Sequence, residues 1–212
     1  MKITKLGHSC LLVEMPAPIN RTALFDPGVY SSVDVENLVY LDDIFITHNH
    51  FDHMNVELIK KLAKKFPDVR ITATPEAVEQ LKREGVKASS EAPEGAVFFN
   101  SPHEVIRPFY SSDPPQEIGV HYLDKLSHPG DCQSFSETKE ILALPVQGPW
   151  GSPNASVALG LKLKPTYIIP IHDWHWSDDA RKRMYADMER VFDEAGITFI
   201  SSVNGEPFVL DV

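Results

Sequence analysis

The segment Thr47-His48-Asn49-His50-Phe51-Asp52-His53 puts three imidazoles and one carboxylate into six positions, His48 to His53. Histidine is the commonest metal ligand, and imidazole with carboxylate suits zinc, manganese or iron. The run Asp42 to Thr47 (DDIFIT) reads as a strand that stops at the cluster. Alternate residues of an extended chain point the same way, so His48 and His50 would reach one cation together. Asp52 and His53 fall where the chain turns into the next helix and would face a second cation. A polar loop at a strand end would rarely collect four ligand-type residues at this spacing by accident.

Two cations need more donors. The chain has nine histidines; the other six are His8, His103, His121, His128, His172 and His175. His172 follows a buried strand pattern in YIIPIHDWHW, and His103 lies at a strand-loop boundary in NSPHEV. Asp131 sits in SHPGDCQSF, a turn that would present its carboxylate. His128 reads as a strand-end residue, His121 (in GVHYL) as structural, and His8 (in LGHSC) as packed near the site rather than a ligand. Cys132 would point away from Asp131 by alternation and be inert. Asp26, in FDPG, reads equally as a turn cap before Pro27 and as a carboxylate that fixes a ligand imidazole. Trp150, Trp174 and Trp176 read first as cover for the sheet edge, with pocket lining as the alternative.

The elements that must position these residues alternate. An N-terminal strand or strand pair holds Ile3 to Val13, and a second strand, Thr22 to Phe25, ends at the Asp26-Pro27-Gly28 turn. Asn55 to Phe66 has helical apolar spacing and stops at Pro67. Arg70 to Ala73 is a strand; Thr74 then caps a helix with Pro75 at its first position and Gly85 just past its end. Ala88 to Gln116 reads as strands joined by long loops, and Gln147 to Pro153 as a loop. Thr138 to Leu144 and Thr166 to Ile171 are apolar strands, and Ser177 caps a helix over Asp178 to Ala195 that Gly196 terminates. Ile197 to Ile200 and Pro207 to Val212 close the chain as strands. With no repeat and no long linker, this predicts one α/β domain over residues 1–212.

Composition narrows the function. Twenty Lys and Arg against 30 Asp and Glu give a formal charge of −10, so nothing global draws the chain to nucleic acid or an anionic membrane. No run approaches the roughly 18 apolar residues of a membrane span. The apolar stretch Cys10 to Val13 is too short for a secretory leader, and two cysteines make no disulfide framework. A cytoplasmic protein acting on a small molecule is expected; oligomeric state is unreadable.

THNHFDH matches the HxHxDH signature of the metallo-β-lactamase superfamily. GHSCLLVE, FDP, HPGD, LPVQGPW and IPIHD, in order from about Gly7 to His172, resemble its small lactonase-like metal-dependent hydrolases. The resemblance implies a four-layer αββα sandwich with the site at one edge. It implies that His48, His50 and His103 bind a first ion, that Asp52, His53 and His172 bind a second, and that Asp131 bridges them. His121 and His128 remain competitors to His103. Two divalent ions, zinc or manganese, would acidify a water held between them, and the resulting bridging hydroxide would attack an ester, lactone or phosphoester. Asp52 and Asp131 would then be catalytic as well as ligating, with His175 a candidate general acid. His50 stands where diiron oxidoreductases of the superfamily have Glu, which favours hydrolysis over electron transfer. A nuclease of the same superfamily and a non-catalytic metal-binding sensor are the alternatives.

Overall fold

The computed structural model describes residues 1–105 and 113–212. In chain order the elements are β1 (Lys2–Lys5), β2 (Leu11–Met15), β3 (Arg21–Phe25), β4 (Asp43–Ile46), α1 (Val56–Lys65), β5 (Arg70–Ala73), α2 (Pro75–Arg83), β6 (Ala96–Phe99), β7 (Gly119–Tyr122), β8 (Leu126–His128), β9 (Ile141–Pro145), α3 (Pro153–Leu163), β10 (Tyr167–Ile171), α4 (Asp178–Glu194), β11 (Thr198–Phe199) and β12 (Pro207–Val209). They fall into two compact units, Met1–Glu94 with Val203–Val212, and Gly95–Ser202.

The first unit is a six-stranded mixed sheet in the order β12-β1-β2-β3-β4-β5. Its first four strands pair antiparallel, while β3, β4 and β5 run parallel. Parallel neighbours need a crossover, and α1 supplies it between β4 and β5. Leu24, Ile44, Ile46 and Ile71 of the strands pack with Ile59 and Leu62 of α1 and Ala77, Val78 and Leu81 of α2. Ile59 and Leu62 are fully buried, and burying such a side chain stabilises by about 1.5–3 kcal/mol. Asn55 caps α1, accepting from the Leu58 N–H, and the expected cap of α2 is in place: Thr74 accepts from the Ala77 N–H, with Pro75 opening the helix.

The second unit is also six-stranded, in the order β11-β10-β9-β8-β7-β6. Here β8 to β11 are parallel, and β6 and β7 add antiparallel. Leu142, Leu144 and Ile168 pack under Leu159 of α3 and Tyr185, Met188 and Phe192 of α4. Ser177 caps α4 as expected, accepting from the Ala180 N–H.

Several expectations differ; the closing strands, for instance, are shorter than expected, Thr198–Phe199 and Pro207–Val209. Helix α3 begins at Pro153, where the expected loop ends, and covers a stretch to which the sequence pattern assigns no element. Strand β9 begins at Ile141 rather than Thr138, because the Lys139 N–H is drawn to the Ser127 hydroxyl at 2.7 Å instead of a sheet partner. Between Ala88 and Gln116 the described residues hold one strand, β6, and an isolated bridge at Ser89; residues 106–112 of that stretch lie outside the described residues. Among the described residues no helix is long and apolar enough to cross a membrane.

Candidate metal centre

In the first unit the donors collect beyond the C-terminal ends of the parallel strands, where ligand sites of α/β sheets form. Asp26 follows β3, and His48 to His53 follow β4. Asp26 is fully buried and holds the cluster in place. Its Oδ1 accepts the Thr47 N–H at 2.8 Å and its Oδ2 the Thr47 hydroxyl at 2.8 Å. Nδ1–H of His53 donates to the same Oδ2 at 2.8 Å. Since the Thr47 hydroxyl gives its proton to Asp26, Nδ1–H of His48 donates to Thr47 Oγ1 at 3.1 Å. One carboxylate thus fixes two imidazoles, one directly and one through Thr47, and leaves the Nε2 lone pair of each for a cation. Of its two readings, the carboxylate that orients an imidazole is the one the geometry favours.

Nε2 of His48 lies 3.1 Å from Nδ1 of His50. Two imidazole nitrogens this close share either a proton or a cation, and the spacing suits two donors each about 2.0–2.1 Å from one zinc ion. The donor atoms of His8, Asp52 and His53 lie within 4.8 Å of one another. The chain segment Pro27 to Val29 braces this turn: the Val29 N–H donates to Phe51 O and the Asn55 N–H to Pro27 O, both at 2.9 Å.

In the second unit Asp131 is the centre. Its Oδ2 is 3.2 Å from Nε2 of His172 and 3.6 Å from Nε2 of His103. Both imidazoles are anchored through Nδ1–H, His103 to Glu104 O at 2.6 Å and His172 to Gln147 O. His172, directly after β10, holds a left-handed φ of 60°, a conformation that a non-glycine residue keeps only where its surroundings impose it. Two glutamates hold the turn that carries Asp131. The Asp131 N–H donates to Glu117 Oε1 at 2.8 Å, and the Gln133 N–H to Glu104 Oε1 at 3.0 Å. The Trp150 ring stands 4.9 Å from His172 and 6.4 Å from His103.

The donor set suits a divalent transition metal: imidazole nitrogens aimed by protein oxygens, with carboxylates between them. Each sequence-derived residue can be placed. His48, His50, Asp52 and His53 stand together in the first unit; His103, Asp131 and His172 stand together in the second. Of the competitors to His103, His121 is buried, bonds Ser127 Oγ at 2.9 Å and stacks on Phe99 at 4.2 Å, and burial pushes its pKa down, with Lys139 adding to the effect. His128 is buried at the end of β8, where its Nδ1 accepts the Gly130 N–H at 3.4 Å. His175 is exposed, its ring 6.1 Å from that of His172. Trp176 packs edge-on to Tyr185, a core role. Cys132 is buried, its sulfur turned to Glu104 and Ser134. Sequence reasoning missed Thr47, Glu104 and Glu117 as anchors and read His8 as mere packing, whereas its Nε2 lies 3.2 Å from Asp52 Oδ2.

Residues 2–172 match a family model described as the beta-lactamase superfamily domain. Protein Rv0786c of Mycobacterium tuberculosis is 30% identical over 220 residues, spanning 94% of this chain and 100% of its own. A UPF0173 metal-dependent hydrolase of Koribacter versatilis is 29% identical over 202 residues, 81% of this chain and 84% of its own. The structure of the metallo-beta-lactamase fold protein YhfI from Bacillus subtilis matches with a TM-score of 0.68 over 98% of each chain at 14% identity. That last likeness is one of fold, and it bears out the four-layer αββα class expected from the sequence.

Proposed function

Because the chain belongs to the beta-lactamase superfamily, we propose that it is a metal-dependent hydrolase whose two donor sets serve one centre for two divalent ions. In this reading residues 1–212 act as a single domain; the family match runs through both units, from residue 2 to residue 172. His48, His50 and His103 hold the first ion, Asp52, His53 and His172 the second, and Asp131 lies between them. The observation that carries the reading is Asp131, one carboxylate oxygen set between the Nε2 atoms of two anchored imidazoles. A bridging carboxylate needs such a place.

Zinc or manganese held there would polarise a carbonyl or phosphoryl oxygen and make water acidic near neutral pH. The chain's own residues do the rest. Asp52, whose side chain is 16% exposed, orients the attacking water toward the substrate. His175 gives a ring proton to the departing oxygen. Trp150 flanks His103 and His172 and excludes water from one side. The substrate is a small ester, lactone or phosphoester, and the net charge of −10 argues against a polyanionic partner.

The test is turnover of a panel of lactones, esters and phosphodiesters by protein loaded with zinc or manganese, beside the Asp131→Ala variant. Metal-dependent hydrolysis of at least one class, abolished in the variant while the fold survives, is the expected result. A metal-replete wild type inert over the whole panel would overturn the reading in favour of a binding or sensing protein.

A further inference from the structure

His8 is the donor of the first unit to which the proposed centre gives no task. It comes from the turn between β1 and β2, 44 residues before Asp52. That turn is shaped to deliver it. Gly7 has φ 104° and His8 φ 46°, and the Cys10 N–H closes the turn on Gly7 O at 2.8 Å. A Cβ on Gly7 would fall 2.5 Å from the Tyr30 carbonyl oxygen, so glycine is required there. Left-handed backbone at a non-glycine residue costs about 1–3 kcal/mol and persists where the surroundings over-determine it. Here the surroundings are two rings set edge-on to the imidazole, Tyr30 at 5.7 Å and His53 at 5.4 Å.

The imidazole is buried, the side chain 1% exposed, and presents Nε2 to Asp52 Oδ2 at 3.2 Å. A hydrogen bond to Asp52 would need only that one distance. The His8, Asp52 and His53 donors, however, all lie within 4.8 Å of one another, near the roughly 4.4 Å that two donors on opposite sides of one ion span when its bonds are about 2.0–2.2 Å long. His53 Nδ1 is already committed to Asp26, so its Nε2 is the atom that faces the group. Resting on the metal-dependent reading above, we propose that His8 is a metal ligand, binding through Nε2 the same divalent cation as Asp52 and His53. Two imidazoles and one carboxylate from a single unit select a borderline transition-metal ion over magnesium or calcium.

Cobalt(II) loading tests this without reference to turnover. Wild type, His8→Ala, His8→Gln and His53→Ala are titrated with cobalt against a competing chelator, and the visible absorption is recorded. The expected result is that both His8 variants weaken one cobalt site by more than the roughly 10–100-fold that losing an outer hydrogen-bond partner costs. They also change the absorption of that ion, as His53→Ala does. A smaller loss with unchanged absorption would mean that His8 only orients Asp52, and would overturn the proposal. If the variants do not fold, wild type labelled with nitrogen-15 histidine and loaded with cadmium-113 decides: scalar coupling between cadmium and His8 Nε2 is expected, and its absence overturns the proposal. A wild type that takes up no cobalt contradicts the metal centre itself and His8 with it; the unmutated protein alone reveals that case.

Discussion

Asp26 Oδ2 lies 2.8 Å from Nδ1 of His53, and the same carboxylate reaches His48 through the Thr47 hydroxyl. The two rings it controls lie 4.1 Å apart. Losing Asp26 therefore frees two ligand imidazoles at once. Asp26→Ala should lower metal affinity by about 10–100-fold, the usual cost of removing such a partner. Chelator competition reads this directly, and affinity within threefold of wild type would contradict the assignment.

Gly28 offers a steric test of the same loop. A Cβ there would lie 1.7 Å from the Asp52 carbonyl oxygen and 2.0 Å from its carbonyl carbon. The obstacle is backbone, which cannot swing aside as a side chain would. Gly28→Ala should destabilise the protein by at least the ~1–3 kcal/mol of ordinary overpacking. It should also reduce metal uptake, because Asp52 and His53 move with that peptide. Urea melts and elemental analysis measure the two effects; a wild-type melt would show that the contact is slack.

In the second unit the equivalent brace is Glu117, which accepts the Asp131 N–H at 2.8 Å. Glu117→Ala leaves that buried donor unsatisfied, at a cost of about 1–3 kcal/mol, and loosens the carboxylate placed between His103 and His172. Lower stability and weaker metal binding should appear together. Glu140→Ala, which removes a surface pair with Lys125 at 3.1 Å, is the control and should change neither.

Stability should also depend on pH through His121. Burial lowers its pKa from the usual 6.5, and Lys139 adds to the shift against the opposing pull of Glu137 and Asp124. Between the lowered folded value and the unfolded value the unfolded chain binds more protons, so stability rises with pH there. It is lost as pH falls through the folded value. Metal-free wild type should therefore weaken more on acidification below 6.5 than the His121→Gln variant does. Equal slopes in urea melts across that range would contradict this role.

Much of the site was legible because its signals are local. The THNHFDH spacing and the strand before it needed no tertiary information, nor did the caps at Thr74 and Ser177. What escaped depends on distant partners. Glu104 reaches Gln133 across 29 residues, and His8 reaches Asp52 across 44; nothing local in the sequence marks either pairing. Helix α3 carries a start signal in Ser152-Pro153 that the reading of Gln147 to Pro153 as a loop passes over, and it holds a glycine, Gly160, in its interior. The structure explains that glycine: a Cβ there would lie 2.7 Å from the Phe192 ring, so it lets α3 approach α4.

The central claim is that Asp131, set beside His103 and His172, is a ligand of the proposed metal centre. Elemental analysis of metal per chain, on wild type and Asp131→Ala purified without chelators, tests it most directly. About two ions of zinc or manganese per wild-type chain, and a marked loss in a variant that remains folded, is the result predicted. Equal metal content in both proteins, or none in the wild type after reconstitution, would contradict it.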